Sequence, residues 1–447
     1  MDFLNILETV KTSCQALGVS DYELYYEKTE SIGVEMLKNE ISGFSSGEGA
    51  GVCLRVLFDG KIGYASGELF TEDEIGAMTL RALENAKNTE KKDSVGIFEG
   101  SKSYNECKMG NDARVLDTEK IKSLAIEMQN ELYKSSDKII DGTQSGVSGG
   151  TREIRIANSK GLLLSRTVSA NVVFAEAVVS VNGESEADFA VKEYSEDLSL
   201  TDLANKATEG ALSKIGAGEV KSGKYPVVIS GKQMRSLLSV YSFAFNARNV
   251  QMGMSLLRGK LGEKIASDVV NLTDDPDRST ASIHFDAEGV ANYRKSVIEN
   301  GVLKTFLHNR ESAAVDGVET TANASKASYS APVGISPYVF CIEAGENTLD
   351  ELFEMAQNGV YITELKGLHA GANAITGDFS LECEGYLIEN KKRTRAVKSF
   401  TVAGNFFELL KSVTALSNDL QISVSGGSFT TFGSPDVLIS EISLAGK

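Results

Sequence analysis

Histidine is scarce in this sequence, and cysteine is almost as scarce. The 447 residues include three histidines and five cysteines, and no two cysteines form a CxxC pair. Zinc sites in hydrolases draw nitrogen and sulfur ligands from these two residue types, so the chain offers few of them. An odd, unpatterned set of cysteines in a chain of this length predicts reduced thiols in the cytosol.

Several local motifs of catalysis are also missing. The sequence holds neither HExxH nor HExxxH, the helical spacings that place two histidines around a metal. It has no GxSxG elbow for a serine nucleophile. The stretch 257–265 resembles a phosphate loop but lacks the GxxxxGK[ST] pattern. These absences predict no catalytic residue in this chain.

Positive charge is in deficit. Lys and Arg number 45 against 62 Asp and Glu, which gives a net charge of -17, and no basic run offsets it. DNA affinity depends mainly on cationic contacts, so we expect no nucleic-acid partner. No uncharged apolar run approaches the ~18 residues of a membrane span, so we expect no membrane partner either. The N-terminal residues lack the basic stretch of a secretion signal, which predicts a cytoplasmic protein.

The length of the chain predicts two or three domains. Residues 1–100 and 110–217 show the same order of helix, strands and helix, with a polar link over 89–115, and the two units are compatible with one N-terminal domain. Glycines near residue 220 mark a boundary before a larger C-terminal domain over 222–447. The pattern predicts an α+β fold of mixed, mainly antiparallel sheets with helices packed on them.

Periodicity and capping signals place the elements. Asp59-Gly60 and Asn300-Gly301 predict tight hairpins. Thr71 and Thr201 are the predicted N-caps of two helices. Helices are predicted over 2–17, 72–87, 117–134, 201–215, 231–245, 348–357 and 404–412. Strands are predicted over 22–29, 32–38, 51–58, 61–67, 138–148, 152–158, 161–168, 170–181, 187–194, 225–229, 293–299, 302–307, 338–344, 360–366, 420–425 and 436–444.

The three histidines are far apart in sequence. His284 alternates with apolar neighbours as in a strand, which favours a structural or surface role. His308 closes a predicted strand, which favours a hydrogen-bonded turn. His369 lies in a glycine-rich loop, where a structural and a functional role are equally compatible with the pattern. The acidic run 273–278 contains Asp-Pro and is expected to be a solvated turn.

Residues 367–389 are the most specific stretch of the chain. They contain the four glycines Gly367, Gly371, Gly377 and Gly385, which allow positive φ angles and close approach of another chain. From Asp378 onward apolar and polar residues alternate, which predicts a strand. A glycine-rich loop that leads into a strand is a plausible wall of a peptide-binding or catalytic cleft.

This stretch closely resembles the GLHAGxNxxTGDFSxxxxGYLIENG signature of the TldD/PmbA proteins. They are a two-component family of intracellular metalloproteases once labelled modulators of DNA gyrase. Further blocks at 257–267, 274–276, 400–410 and 433–435 resemble the family in the same order. The resemblance therefore covers most of the chain and is densest beyond residue 222.

The two branches of the family differ in their metal ligands. TldD-like proteins carry HExxxH upstream of the 257–267 block and a metal-binding cysteine near the C-terminus. Counting back without gaps places that motif at Leu238-Ser-Val-Tyr-Ser-Phe243 in this sequence, and no cysteine follows Cys383. In lacking these ligands, the sequence resembles the PmbA (TldE) branch, which is the metal-free partner. The resemblance thus implies no metal site and no cofactor in this chain.

The family resemblance implies a heterodimer in which a TldD-like subunit supplies the metal and the pair degrades or matures unfolded peptides. An extended peptide is expected to add by main-chain hydrogen bonds to the sheet edge that begins at Asp378. The candidate substrate-binding residues are His369, Gly371, Asn373, Gly377, Asp378 and Phe379.

Two alternatives stay open at this point. One is a self-sufficient metallopeptidase whose site forms among His284, His308, His369 and nearby carboxylates. The other is a non-catalytic, homodimeric peptide-binding protein.

Overall fold

A computed structural model describes residues 1–105, 116–279, 283–426 and 428–447. Cys107, the predicted start of the second unit at residue 110 and the last part of the predicted link 89–115 lie outside these residues. The four cysteines in the described ranges are buried and unpaired.

The first half of the described chain forms helices packed on one antiparallel sheet. The strand order is β3-β2-β1-β4-β5-β6, so the two helix-strands-helix units share a sheet through the pairing of β1 with β4. The elements are α1 (Phe3–Ala16), β1 (Asp21–Leu37), β2 (Glu40–Phe58), β3 (Lys61–Gly67), α2 (Glu72–Asn88), α3 (Thr118–Ser135), β4 (Gln144–Asn158), β5 (Leu163–Val181), β6 (Glu184–Glu193) and α4 (Leu200–Lys214).

Alternation along β1 gives this sheet two different faces. Leu24 and Val34 on one face pack into the cores under the helices. Tyr25 on the other face packs with Phe285 and Ala324 from the C-terminal half. The sheet therefore joins the two halves of the molecule, and its second face carries unusual buried charge, including Glu23.

Four predictions in this half need correction. The predicted strands 138–148 and 152–158 are one strand, β4, and the predicted strands 161–168 and 170–181 are one strand, β5. The predicted strands 22–29 and 32–38 are one strand, β1, because the polar residues between them still pair with β2 and β4. The N-cap of α4 is Ser199, whose side chain accepts a hydrogen bond from the Asp202 N–H, and not Thr201. Thr201 lies in the first turn, where its hydroxyl donates to Glu131 instead. Thr71 caps α2 as predicted.

The C-terminal half contains two further large sheets in the described ranges. Their strand orders are β10-β9-β8-β13-β19-β18 and β16-β15-β14-β7-β20-β17. Most pairs are antiparallel, while β13–β19 and β14–β7 are parallel. The elements are β7 (Gly223–Ile229), α5 (Gly231–Tyr241), α6 (Ala247–Gln251), β8 (Leu272–Asp274), β9 (Lys295–Glu299), β10 (Val302–Leu303), α7 (Arg310–Asp316), β11 (Ala324–Ser325), β12 (Gly334–Ile335), β13 (Val339–Ile342), α8 (Leu349–Ala356), β14 (Gly359–Lys366), α9 (Leu368–Gly371), β15 (Asp378–Glu389), β16 (Lys392–Asn405), α10 (Phe406–Lys411), β17 (Val413–Leu416), β18 (Gln421–Ile422), β19 (Thr431–Ser434) and β20 (Val437–Ala445).

The predicted α+β class with mixed, mainly antiparallel sheets is confirmed. The predicted helix 231–245 ends at Tyr241 and continues as a 3-10 turn over Ser242–Phe245. His284 lies outside any strand, contrary to its alternating pattern. His308 is buried directly before the N-cap of α7, and its Nδ1 atom lies 3.3 Å from the Ser312 hydroxyl, as expected for a turn role. None of the described helices combines the length and the apolar character needed to cross a membrane.

The predicted solvated turn at 273–278 is wrong for its first acidic residues. Asp274 is fully buried because it ends β8, which lies between β9 and β13. Its carboxylate accepts hydrogen bonds from Lys295 at 3.1 Å, from the Asn323 amide at 2.7 Å and from the Tyr338 N–H at 2.7 Å. Only Asp277 of the three aspartates is exposed. The run is thus an internal ion-pair site.

Candidate functional site

The glycine-rich segment after β14 forms one wall of a surface groove of about 750 Å³. Phe243, in the 3-10 turn after α5, also lines this groove. The other lining residues are Ala370, Gly371, Ala372, Asn373, Ala374, Ile375, Thr376, Asp378, Phe379 and Ser380. Segments separated by more than a hundred residues therefore meet at this groove.

Two glycines shape the wall for different reasons. Gly377 has a φ of +79°, a left-handed conformation that side chains disfavour. Gly371 has no such φ, but a Cβ there would lie 2.4 Å from the Ser380 carbonyl oxygen. Of the two properties expected of these glycines, positive φ is found at Gly377 and close approach at Gly371, where the neighbour is this chain's own β15. Gly371 acts by close packing onto β15 and Gly377 by its backbone angle.

Asn373 organises the turn inside the loop. Its Oδ1 atom accepts hydrogen bonds from the Ile375 N–H at 2.9 Å and the Thr376 N–H at 3.2 Å. Its own N–H donates to the Asp378 carbonyl at 2.8 Å, which ties the loop to the start of β15. The side-chain oxygen of Asn373 therefore holds the wall in shape, a role that the sequence did not indicate.

The remaining predicted residues take different positions. His369 is exposed on α9 but does not line the groove. Asp378 is exposed, and the Asn405 amide, followed by the Thr376 hydroxyl, lowers the pKa of its carboxyl. Phe379 is 4% exposed and packs its ring into the main hydrophobic core. Of the predicted set, Gly371, Asn373, Asp378 and Phe379 come together at the groove.

The start of β15 offers no open sheet edge. Asp378 pairs with Asn405 of β16 on one side. On the other side Ala372 bridges to Phe379, and the loop itself occupies the edge. The hypothesis that an extended peptide adds to the sheet here is therefore wrong, because the loop has taken the place that the peptide would fill. A ligand in the groove instead meets side chains and the outer face of the loop.

Tyr241, at the end of α5, connects this helix to the loop. Its hydroxyl donates to the Asp378 carbonyl at 2.9 Å, and its ring stacks on Phe406 with centroids 4.5 Å apart. Burial, and to a lesser extent Asp378, raise the pKa of Tyr241 to about 12. The hydroxyl thus stays protonated as a fixed donor at neutral pH. Sequence patterns gave no signal for this contact.

The residues at the position of the family's metal motif do not fit a metal. Leu238 is fully buried in the hydrophobic core, and Phe243 presents a hydrocarbon ring to the groove. Ser239 uses its hydroxyl to donate to the Ser236 carbonyl at 2.8 Å. Divalent transition metals require nitrogen, oxygen or sulfur ligands, which these side chains do not bring together.

The histidines do not supply a substitute site. Throughout the described residues, no three side chains of His, Cys, Asp or Glu converge in an arrangement that could hold a metal ion. Burial, and then Arg166, lower the pKa of His284, and burial lowers that of His308. The geometry of the groove can bind and shape a ligand, and it presents apolar, hydroxyl, amide and carboxylate groups for that purpose.

Comparison with known proteins covers nearly the whole chain. The models of the PmbA/TldA metallopeptidase match over residues 22–86 for domain 1, 111–215 for the central domain and 222–446 for the C-terminal domain. An uncharacterized protein of Methanocaldococcus jannaschii is 29% identical over 406 residues, which are 89% of this chain and 92% of the relative. Metalloprotease PmbA of Escherichia coli O157:H7 is 25% identical over 457 residues, which cover 98% and 96% of the two chains.

A solved structure has the same fold. The crystal structure of a Thermotoga maritima protein, described as a modulator of a DNA gyrase, superposes with a TM-score of 0.89 at 28% identity. The superposition covers 99% of this chain and all of the other. The similarity thus extends beyond the glycine-rich signature to the whole architecture.

Proposed function

This chain belongs to the PmbA/TldD metallopeptidase family, and we propose that it is the metal-free partner subunit of a TldD-type enzyme that degrades or matures unfolded peptides in the cytoplasm. One observation carries this proposal. The position where TldD-like relatives are expected to hold the metal adjoins the groove, yet here it is occupied by Leu238, Ser239 and Phe243. The chain keeps a place for a ligand and lacks the means to activate water there.

The groove supports a role in shaping the substrate chamber. Phe243 and Ile375 provide apolar surface, and Ile375 is 48% exposed. Thr376 adds a hydroxyl and Asp378 a carboxylate at the same groove. A groove of this mixed character suits unfolded peptides of varied sequence, because it offers apolar and polar contacts side by side.

Co-purification tests the partnership. We expect the tagged chain to form a stable complex with the TldD-type protein of its own organism, and to carry no stoichiometric transition metal by itself. Size-exclusion chromatography with light scattering and elemental analysis measure both. A homodimer that does not bind the TldD-type protein would favour the peptide-binding alternative. About one tightly held metal per chain, lost on mutation of any of the three histidines, would favour the self-sufficient enzyme.

Substitutions in the loop test the position of the groove. Asn373→Ala removes two hydrogen bonds that hold the turn, so we expect peptide processing by the assembled pair to fall several-fold. Each such bond contributes about 0.5–1.5 kcal/mol. His369→Ala should have a smaller effect, because this side chain lies outside the groove lining. Asp277→Asn is the exposed, distant control, and thermal melting reports on the fold.

Initial cleavage rates distinguish the outcomes. If Asn373→Ala retains the wild-type rate while the control variant loses activity, the groove is not where the peptide binds.

A further inference from the structure

A second cavity, of about 240 Å³, lies where the second face of the N-terminal sheet meets the C-terminal half. Three cationic side chains line it: Arg152 of β4, Arg166 of β5 and Lys326, which follows β11. The chain as a whole has a net charge of -17. Three cations in one partly enclosed cavity therefore contrast with the net negative charge of the whole chain.

Arg166 is the central residue of this cluster. It is 5% exposed, and its guanidinium stacks on the Phe429 ring at 4.2 Å and the Phe285 ring at 4.9 Å. One nitrogen donates to the Phe285 carbonyl, but the buried Nε has no hydrogen-bond partner. Among the described residues, no carboxylate forms an ion pair with Arg166. A buried cation without a paired anion is costly, so the site is incomplete as it stands.

The other two cations are also only partly satisfied. Arg152 pairs with Glu27 at 2.9 Å, but its Nε is buried without a partner. Its guanidinium lies 5.0 Å from the centroid of the same Phe429 ring. Lys326 donates to the Ala331 carbonyl at 2.6 Å, and burial lowers the pKa of its amine.

The neighbouring carboxylates are engaged in part, and the Oε2 atom of Glu23 is buried without a hydrogen-bond partner. Glu23 lies 3.7 Å from Arg55, which pairs with it. Asp286 accepts backbone N–H groups from Glu288, Val290 and Ala324. Glu27 pairs with Arg152 and Glu23 with Arg55, so among the described residues neither of them forms an ion pair with Arg166.

We propose that this cavity binds a carboxylate group. A guanidinium presents planar, paired donors that match a carboxylate, and Arg166 and Arg152 hold such planes against one aromatic ring. Exposed Ser428 and half-buried Thr430 place hydroxyl donors in the lining. The volume is below the ~300–1,000 Å³ of typical drug-sized ligand sites, so it accommodates the end of a molecule.

The carboxylate has two possible sources, a peptide C-terminus or a small free acid. We favour the peptide C-terminus, and this part of the inference rests on the proposed function. The carboxylate site itself does not, because it follows from the position of Arg166, which has no ion-pair partner among the described residues, beside Arg152 and Lys326 in one cavity. Anchoring a free C-terminus here would let the chain recognise peptide ends without reading their sequence.

Calorimetry on the purified full chain tests the site. The probes are N-acetyl-trialanine with a free carboxylate, the same peptide as its C-terminal amide, succinate and inorganic phosphate. We expect the free acid to bind at least about tenfold more tightly than the amide, since the amide cannot form the charge-assisted hydrogen bonds. Because the lone chain is used, the outcome does not depend on a TldD-type partner.

Substitutions assign the binding to the cavity. Arg166→Gln, Arg152→Gln and Lys326→Gln should each weaken binding of the free acid, with Arg166→Gln the most severe at roughly tenfold or more. Arg393→Gln is the matched control, since Arg393 also stacks on an aromatic ring, Tyr386, at 4.8 Å, but outside this cavity. Circular dichroism verifies that each variant folds. If Arg166→Gln does not fold, the variants at the less buried Arg152 and Lys326 test the site instead.

The possible results distinguish the carboxylate site, its peptide source and the proposed function from one another. Equal binding of acid and amide, preference for phosphate, or unchanged binding in the cavity variants would overturn the carboxylate site. Binding of succinate without binding of the peptide acid would support the site and overturn its peptide source. A failed complex with the TldD-type protein, alongside intact carboxylate binding, would affect only the proposed function.

Discussion

Mixed with a TldD-type subunit, this chain is expected to support cleavage of an unfolded peptide at a rate at least about 100-fold above that of the chain alone. Hydrolysis of a peptide bond at neutral pH needs an activated water, and metal coordination is a common way to generate it. The chain has Leu238 and Phe243 where the family resemblance expects ligands, and Phe243 lines the groove. Under the proposed function, the TldD-type subunit supplies the metal.

A fluorogenic unfolded peptide measures the rate for each subunit alone and for the mixture. A chelator should abolish cleavage by the mixture, and added zinc should restore it. The Phe243→Ala variant, which enlarges the groove without adding a ligand, should stay inactive when alone. Strong chelator-sensitive cleavage by the lone chain, free of contaminating protease, would contradict the partner-subunit role.

Replacement of Asp274 by Ala is expected to lower the free energy of unfolding by about 3–5 kcal/mol. Asp274 is fully buried, and Lys295 beside it is 6% exposed, so the substitution leaves an uncompensated charge in the interior. It also removes the acceptor for the Asn323 amide and the Tyr338 N–H. Urea denaturation followed by circular dichroism measures the change.

Two further variants make the Asp274 experiment specific. Asp277→Asn changes an exposed carboxylate three residues away and should alter stability by no more than about 0.5 kcal/mol. Asp274→Leu combined with Lys295→Met removes both charges and should be less destabilised than Asp274→Ala. If Asp274→Ala melts like Asp277→Asn, the buried ion pair contributes nothing to stability.

Much of the local structure followed from sequence because its causes are local. Asp59-Gly60 and Asn300-Gly301 form the predicted tight turns, with positive φ at all four residues. These residue types tolerate that conformation, whatever surrounds them. The helical spacing of Phe3, Leu4, Val10 and Cys14 predicts one apolar face on α1. Three of these residues are buried, but Leu4 is 59% exposed. Periodicity predicts which face of a helix is apolar. How wide the buried part of that face is depends on the elements that pack against it.

At the candidate site, too, the sequence located the residues but did not give their contacts. The glycine-rich signature located the loop and identified four residues that meet at the groove. The signature did not indicate that the side-chain oxygen of Asn373 would accept hydrogen bonds within the turn. It also did not indicate that the loop would cover the edge of β15. Both outcomes depend on how the loop returns to its own strand, which no residue pattern specifies.

The sequence by itself determined the family, the α+β class, the tight hairpin turns and the absence of metal ligands at 238–243, because these depend on residue types and short-range order. Only the tertiary structure decided that Phe243 would face the 370–380 loop and that Asp274 would be buried against Lys295. It also decided that Arg166 would lie in a cavity without a carboxylate partner among the described residues. Whether a charged side chain is solvated or buried depends on which distant strand covers it, and that follows from packing over the whole chain.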